Sequence, residues 1–315
     1  MDSNKLTVLL IWIMVACSFG VPASTAADDA FLGRWDITAT GSRGGLPSFC
    51  WLELKRDSGT LTGRFNAGGG AVFDLPQVGT ENGELKFQYP RGNPPTQQVW
   101  RATVENARLE GTATVNGETL SWSGVRGPVW PSSPPQRKPG KPIDLFNGHD
   151  VSGWLGQEPR RPLGWSVKDG ILMNQDKNAN NIYTEQKFND FQLEVEFNVD
   201  PQSNSGVYLR GRYEIQILDG YGRPLDVHSQ GALYGFIVPA VNADKPPGEW
   251  QTYEITLIAN RVTVIENGTK IIDNGEVPGI TGGALDADEK GPGPIMLQGD
   301  HGKVQFRKVR LTPLT

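Results

Sequence analysis

The chain reads as an all-β protein in two parts, a small antiparallel β-barrel followed by a two-sheet antiparallel jelly roll. Three observations predict this. Apolar and polar residues alternate with period two in run after run, and no segment shows sustained helical periodicity. Tight-turn pairs such as Asp169-Gly170 and Asn267-Gly268 separate those runs. The composition, 37% hydrophobic with 39 Gly, 23 Pro and 9 Trp in 315 residues, suits a turn-rich β protein rather than a helical or disordered one. A net charge of −5 argues against nucleic acid or an anionic membrane surface as partner.

At the N-terminus Lys5 precedes Leu6 to Ala16, an apolar run short for a bilayer span, and small residues follow from Ala23 to Ala27. Residues 1–27 therefore read as a signal peptide, with no transmembrane span after it. Met14-Val15-Ala16-Cys17 loosely resembles a bacterial lipoprotein processing site, so a lipid anchor at Cys17 is the alternative. Both readings send the chain to the periplasm or the exterior. Cleavage after Ala27 leaves Cys50 alone, which excludes an internal disulfide and a cysteine-based zinc site. Its setting, Phe49-Cys50-Trp51-Leu52, is that of a small buried hydrophobe.

Residues 30–129 carry about eight short strand patterns divided by glycine-containing turns, as an up-and-down barrel requires. Gly33-Arg34-Trp35 resembles the opening of lipocalin-like barrels. No cluster of acids, bases or metal ligands appears here, which suggests an accessory role. Residues 130–142, with Pro131, Pro134, Pro135, Pro139 and Pro142, read as an extended linker.

From residue 143 to 315 the strand patterns strengthen. Phe191 to Phe197 and Thr252 to Leu257 alternate cleanly. The closing run switches parity between Phe306 and Val309, which predicts a bulge. Within this part Asn204 to Asp219 stands out. A polar turn, Asn204-Ser205-Gly206, is expected to lead into Val207 to Arg210; after Gly211 the run resumes, with Tyr213, Ile215 and Ile217 alternating with Glu214, Gln216 and Leu218 as in a strand. Glu214 and Gln216 would share a face about 7 Å apart. A bulge near Leu218 would add Asp219 to that face, making a polar ridge of Arg210, Arg212, Glu214, Gln216 and Asp219.

Several blocks are similar to the 3-keto-disaccharide hydrolase domain family. They are Leu145-Phe146-Asn147-Gly148-His149-Asp150 with Ser152-Gly153-Trp154, then Asn204-Ser205-Gly206, Tyr213 to Asp219, Gly231 to Gly235, Gly248-Glu249-Trp250 and Gly299-Asp300-His301-Gly302. The resemblance covers roughly Pro142 to Leu314. It implies a concanavalin A-like jelly roll and cleavage of glycosides whose glucose unit is oxidised at C3. A weaker similarity is to glycoside hydrolase family sixteen, whose Glu-x-Asp-x-x-Glu strand falls here on Glu214, Gln216 and Asp219. Those departures disfavour double displacement on an ordinary glycoside.

A 3-keto sugar needs a base for the C2 proton, a stabiliser for the enolate oxygen and a proton for the leaving group. The candidates are Glu214, His301, Arg210, Asp219 and His228 for catalysis. Gln216, Tyr208, Tyr234, Arg212, Gln298 and Trp250 are candidates for holding the sugar. His149 reads as a turn residue. No cofactor is required by these residues, and a divalent cation held among Glu214, Asp219, His228 and His301 is compatible with them. The expected partner is a carbohydrate, and the sequence does not set an oligomeric state. A non-catalytic carbohydrate-binding protein and a glycosidase of unoxidised glycans remain the alternatives.

Overall fold

The computed structural model describes residues 26–40, 48–67, 72–91, 96–115, 117–174 and 176–315. Most of the expected signal peptide, with Cys17, lies outside the described residues. A single helical turn, α1 (Ala26–Asp29), precedes the strands.

The first described strands are β1 (Gly33–Ala39), β2 (Ser48–Asp57), β3 (Thr60–Asn66), β4 (Val72–Asp74) and β5 (Gln77–Glu81). With them come β6 (Glu84–Arg91), β7 (Thr96–Glu105), β8 (Arg108–Val115) and β9 (Glu118–Arg126). They form one antiparallel meander in the order β4-β3-β2-β1-β9-β8-β7-β6-β5, curled until β3 meets β5. Alternation sends Cys50, Leu52 and Leu54 inward with Trp35, Phe87, Trp100 and Trp122. The Phe65 ring lies 5.1, 5.0 and 4.9 Å from those of Phe87, Tyr89 and Trp100. Aromatic rings therefore fill this barrel. The sequence pattern misses β5, whose Gln77-Val78-Gly79-Thr80-Glu81 has one large apolar residue. Its pairing with β6 through the left-handed Asn82-Gly83 turn makes it a strand.

Beyond it come β10 (Ile143–Asp144), β11 (Trp154–Gly156), β12 (Trp165–Lys168), β13 (Ile171–Asn174), β14 (Ile182–Thr184) and β15 (Asp190–Val199). Then follow β16 (Asn204–Leu209), β17 (Tyr213–Leu218), β18 (Gln251–Ile258) and β19 (Arg261–Glu266). The last are β20 (Thr269–Glu276), β21 (Met296–Leu297) and β22 (Val304–Leu314). One sheet runs β12-β13-β22-β15-β18-β19-β20 with β10 on β22, and the other runs β11-β14-β21-β16-β17. This is a two-sheet jelly-roll sandwich. Phe191, Leu193, Val195 and Phe197 from one sheet share a core with Val207, Leu209, Tyr213, Ile215 and Ile217 from the other.

Local signals act as the sequence requires. Asp169 and Gly170 have φ of 52° and 76°, Asn267 and Gly268 of 48° and 80°, so both hairpins close with left-handed pairs. Between β15 and β22 the register passes from Glu196↔Lys308 to Phe197↔Phe306. Arg307 is the extra residue, and the parity switch is this bulge. The proline-rich stretch is extended but docked. Lys138 and Thr315 exchange backbone hydrogen bonds of 2.7 and 3.0 Å, Gly140 donates to Pro313 O, and Arg137 pairs with Asp190. On the barrel, Trp51 points outward and is buried in the jelly-roll core.

Buried Asn174 ties β13 to the turn after β21. Its Nδ2 donates to Gly299 O at 3.0 Å and Gly302 O at 2.6 Å, and its Oδ1 accepts from Val304 N at 2.8 Å. Asn174→Ala would orphan these groups and lower unfolding stability by about 2 kcal/mol. The check is urea denaturation, with the midpoint falling and the slope unchanged.

Candidate functional site

The stretch singled out in the sequence folds as a hairpin. Asn204-Ser205-Gly206 belongs to β16 rather than to a turn, and the chain reverses at Arg210-Gly211, whose φ values are 54° and 67°. Tyr208 pairs with Glu214 and Gly206 with Gln216 across the hairpin, so these residues share the face turned away from the core. Met296 pairs with Tyr208 from β21, and Tyr183 with Met296 from β14, which extends the face over four strands. Gln298 reaches the same patch, and its Nε2 donates to Tyr208 Oη at 3.3 Å.

Glu214 is the buried centre of this face. Only 4% of it is exposed, and it lies so closely over Gly206 that a Cβ there would stand 2.3 Å from Glu214 Oε1. Glycine is needed for the approach. With its amide nitrogen turned toward its acceptors, Gln216 donates to Glu214 Oε1 at 3.3 Å and to Ser205 O at 3.0 Å. Thr281 Oγ1 accepts from Glu214 N at 3.0 Å. Burial pushes the Glu214 carboxyl up to about 8, while hydrogen bonding to Tyr208 and the charge of His301 oppose the rise. Tyr208 is raised by burial and then by Glu214, and its hydroxyl donates to Gly282 O at 2.9 Å. Tyr234, half-buried, is raised by burial and by Glu214 and Asp226.

At the open side stand Asp300 and His301, in the turn between β21 and β22. His301 Nδ1 lies 2.6 Å from Asp300 Oδ1, and 54% of the imidazole side chain is exposed. Burial works to raise Asp300, but bonding to His301 and its charge hold it below the usual carboxylate range. Asn181 Oδ1 accepts from Gly299 N at 2.8 Å and steadies this turn. A dry carboxyl that keeps its proton at neutral pH thus lies within electrostatic reach of a carboxylate-oriented imidazole, which suits acid–base chemistry.

The structure brings together Glu214, Gln216, Tyr208, Tyr234, Gln298 and His301, and it places the other candidates elsewhere. Arg210 is buried at the hairpin turn, with Nη2 donating to Asp190 Oδ1 at 3.0 Å and Ala259 O at 3.0 Å and Nε to Asn189 O at 2.7 Å. Arg212 holds Asp286 at 2.5 Å and Gly291 O at 2.9 Å. Both guanidiniums are consumed by neighbouring loops, so the expected ridge does not form. Asp219 follows β17 without a bulge and caps Gln202 N at 2.9 Å. Trp250 lies under the Arg307 guanidinium, 4.5 Å from its ring centre, beside the other sheet. His228 is exposed and packs edge-on against Tyr234 at 4.9 Å, at the rim of the site. Among the described residues no group of three or more His, Cys, Asp or Glu is arranged to hold a metal ion.

Two features escaped the sequence. Asp300 is the acidic half of an Asp-His dipeptide that drew attention only for its histidine. Thr281 is 67 residues from Glu214, and no local pattern joins them. A second acidic pair, Asp244 and Glu266, lies behind the edge of β17, where Gln230 Nε2 donates to Glu266 Oε1 at 2.5 Å. Burial raises both carboxyls; Asp244 adds to the rise of Glu266, whereas bonding to Gln230 and Glu266 holds Asp244 back.

Residues 141–312 match the family model described as the 3-keto-alpha-glucoside-1,2-lyase-like domain, more than half of the chain. The chain belongs to this family. It is 25% identical over 166 residues to a 3-keto-disaccharide hydrolase of Bacteroides thetaiotaomicron, covering 42% of this chain and 57% of that relative. The chain therefore spans little more than half the length of that curated relative. It is also similar to a solved putative glycosyl hydrolase from Parabacteroides distasonis, at 31% identity over 58% of this chain and 93% of the other, with a TM-score of 0.47. Another from the same organism has 26% identity, covers 55% and 98%, and gives a TM-score of 0.44. The family match covers the jelly roll and leaves the barrel outside it.

Two outcomes follow for the buried carboxyl. Gly206→Ala should destabilise the fold by about 1–3 kcal/mol through overpacking and lower the apparent pKa of Glu214 as the side chain is pushed toward solvent. Thermal unfolding and a carboxyl NMR titration would show both. The Glu214 value of about 8 in the fold exceeds its ordinary 4.5, so its ionisation penalty is absent below pH 4.5 and grows up to about pH 8. Glu214→Gln should therefore gain stability over the parent across that window, by roughly 1–3 kcal/mol at its upper end. Denaturation at stepped pH measures the difference.

Proposed function

We propose that the chain is an exported carbohydrate-active enzyme that cleaves 3-keto-glycosides, 3-keto-disaccharides among them, by elimination and hydration. The observation that carries this reading is that Glu214, dry and protonated at neutral pH, lies within electrostatic reach of the Asp300-oriented His301 in the turn after β21. Family membership and the curated relative's name support the substrate class. The apolar run from Leu6 to Ala16 supports export.

A ketone at C3 acidifies the C2 hydrogen. His301 takes that proton, held in the productive orientation by Asp300; the C2–H electron pair forms a C2–C3 double bond and the carbonyl π pair moves onto the C3 oxygen. Glu214 donates a hydrogen bond to the enolate oxygen. A neutral carboxylic acid in an apolar site is suited to this because it offers a proton where an ionised one would repel the developing charge. The enolate then collapses, the C1–O bond breaks, and the leaving sugar departs with the proton carried by His301. An enone with a double bond between C1 and C2 remains. Addition of water to C1 and return of a proton to C2 complete a net hydrolysis. Gln298, Tyr183 and Tyr234 line the face on which the ring would rest.

No nucleophilic carboxylate is needed, in keeping with Gln216 and the outlying Asp219. In this scheme Glu214 works protonated. Its loss of a proton above about pH 8 should therefore end activity, giving kcat/KM an alkaline limb near that value.

The decisive comparison sets a disaccharide against its 3-keto derivative, with release of the leaving sugar as the signal. The keto sugar alone should turn over, and Glu214→Ala and His301→Ala should each cost about 100-fold or more in kcat. Equal cleavage of the plain sugar would overturn the reading in favour of a glycosidase. Binding of either sugar without turnover would overturn it in favour of a lectin.

A further inference from the structure

The barrel reaches toward the site at the Ile280 carbonyl group. Alternation in β2 sends Cys50 and Leu52 into the barrel, so Trp51 between them must face out. Its indole is wholly buried all the same, in the core of the jelly roll, and stacks with Phe236 at 6.0 Å. Gly279 permits this approach, since a Cβ there would stand 2.7 Å from the indole nitrogen. Trp51 Nε1 donates to Ile280 O at 3.1 Å. Asn66 is the register partner of Trp51 on β3, and its Nδ2 donates to the same oxygen at 2.9 Å. Two barrel strands thus clamp both acceptor sites of one buried carbonyl.

The next three residues carry that anchorage to the site. Thr281 donates from its backbone N and its hydroxyl to Arg212 O, at 2.9 and 3.1 Å, while the same hydroxyl accepts from Glu214 N at 3.0 Å. Gly282 O accepts from Tyr208 Oη at 2.9 Å. Gly283, at φ 78°, lies against that hydroxyl, where a Cβ would be 2.8 Å away. A second tie flanks the first: Arg34 donates to Pro278 O at 2.5 Å and pairs with Glu289, which accepts from Tyr213 Oη at 2.9 Å.

We propose that the barrel is a working part of the Glu214 site, in which Trp51 and Asn66 are positioning residues that clamp Ile280 and so hold Thr281 and Gly282 against Glu214 and Tyr208. The inference goes beyond an accessory role for the barrel, and its effect on turnover rests on the function proposed above. The titratable groups that interact with Glu214 are Tyr208 of β16, Tyr234 of the 229–237 segment, and Asp300 and His301 of the turn after β21. The 280–283 segment brings no charge. It acts by excluding water, which is what keeps the carboxyl protonated at neutral pH. Loosening it admits water, and the Glu214 titration midpoint falls.

The test uses the full chain with Trp51→Phe, which keeps a ring but removes the donor, and Asn66→Leu, singly and together. Phe87→Leu, inside the barrel and away from Ile280, is the control for general destabilisation. Three quantities are read: the melting temperature, the Glu214 midpoint by carbon-13 carboxyl NMR (assigned by its absence in Glu214→Gln), and the alkaline limb of kcat/KM on the 3-keto disaccharide. The double variant should lower the midpoint and the limb together by about one pH unit or more. Its kcat should drop about tenfold with KM nearly constant, since the lost effect is on the reacting groups. Phe87→Leu should lower the melting temperature and leave the midpoint and limb in place. If the double variant does not accumulate, Asn66→Leu decides, because it leaves the indole stack intact. A melting loss with no shift in the midpoint, or an equal shift in the control, overturns the proposal. Should the unmodified protein not turn over the keto sugar, the functional reading fails, while the NMR midpoint still decides the positioning role.

Discussion

An ionisable group held out of water on the outer face of a sheet is the constraint on which the site depends. Strand alternation places Glu214 on that face, where solvent would ordinarily reach it. Three surroundings prevent this. Gly206 lacks the Cβ that would lift the carboxyl away, Thr281 caps the backbone of Glu214, and Tyr208 fills the adjoining space under Gly282. The result is a carboxyl raised to about 8, which can act as a neutral donor at physiological pH. The cost falls on the stability of the fold, growing from pH 4.5 to about pH 8, because the unfolded chain can ionise this carboxyl in water and the fold cannot.

The same sheet shows how the surrounding charges are kept from interfering. Arg210 and Arg212 flank the hairpin turn within a few residues of Glu214. Either guanidinium, placed beside Glu214, would stabilise its ionised form and lower its pKa. Both are instead satisfied by Asp190, Asp286 and loop carbonyls. The surviving electrostatic neighbours are Asp300 and His301, whose opposite charges act on Glu214 in opposite senses. Behind β17, buried Glu266 and half-buried Asp244 form a separate acidic pair, with Gln230 donating to Glu266. Gly231 N donates to Gln216 O and Tyr234 N to Glu214 O, so this segment forms the side wall of the site.

Much of the architecture was legible from residue patterns. The period-two runs of β15 and β18, the Asp169-Gly170 and Asn267-Gly268 turns and the parity break at Arg307 each have a local cause, and each appears where the pattern places it. β5 was hidden because an edge strand with only Val78 apolar carries little alternation. The hairpin turn was misplaced because Asn204-Ser205-Gly206 has turn composition, whereas Arg210-Gly211, which makes the turn, has an arginine in a left-handed conformation. Tertiary contacts of Arg210 with Asp190 and Ala259 favour that backbone, and no neighbour in sequence announces them.

Sequence alone decided the fold class, the hairpins, and the face shared by Glu214 and Gln216, because these follow from alternation and turn chemistry within a few residues. It also exposed His301 through the scarcity of histidine. What only the tertiary structure decided is which polar side chains meet and how dry they are. Arg210, Arg212, Asp219 and Trp250 were drawn off by partners distant in sequence, whereas Thr281, Asp300, Trp51 and Asn66 were drawn in. The physical reason is that desolvation and hydrogen-bond satisfaction depend on atoms brought together across the whole chain. The clamp on Ile280 shows this most plainly, since its donors stand 229 and 214 residues away from the carbonyl they hold.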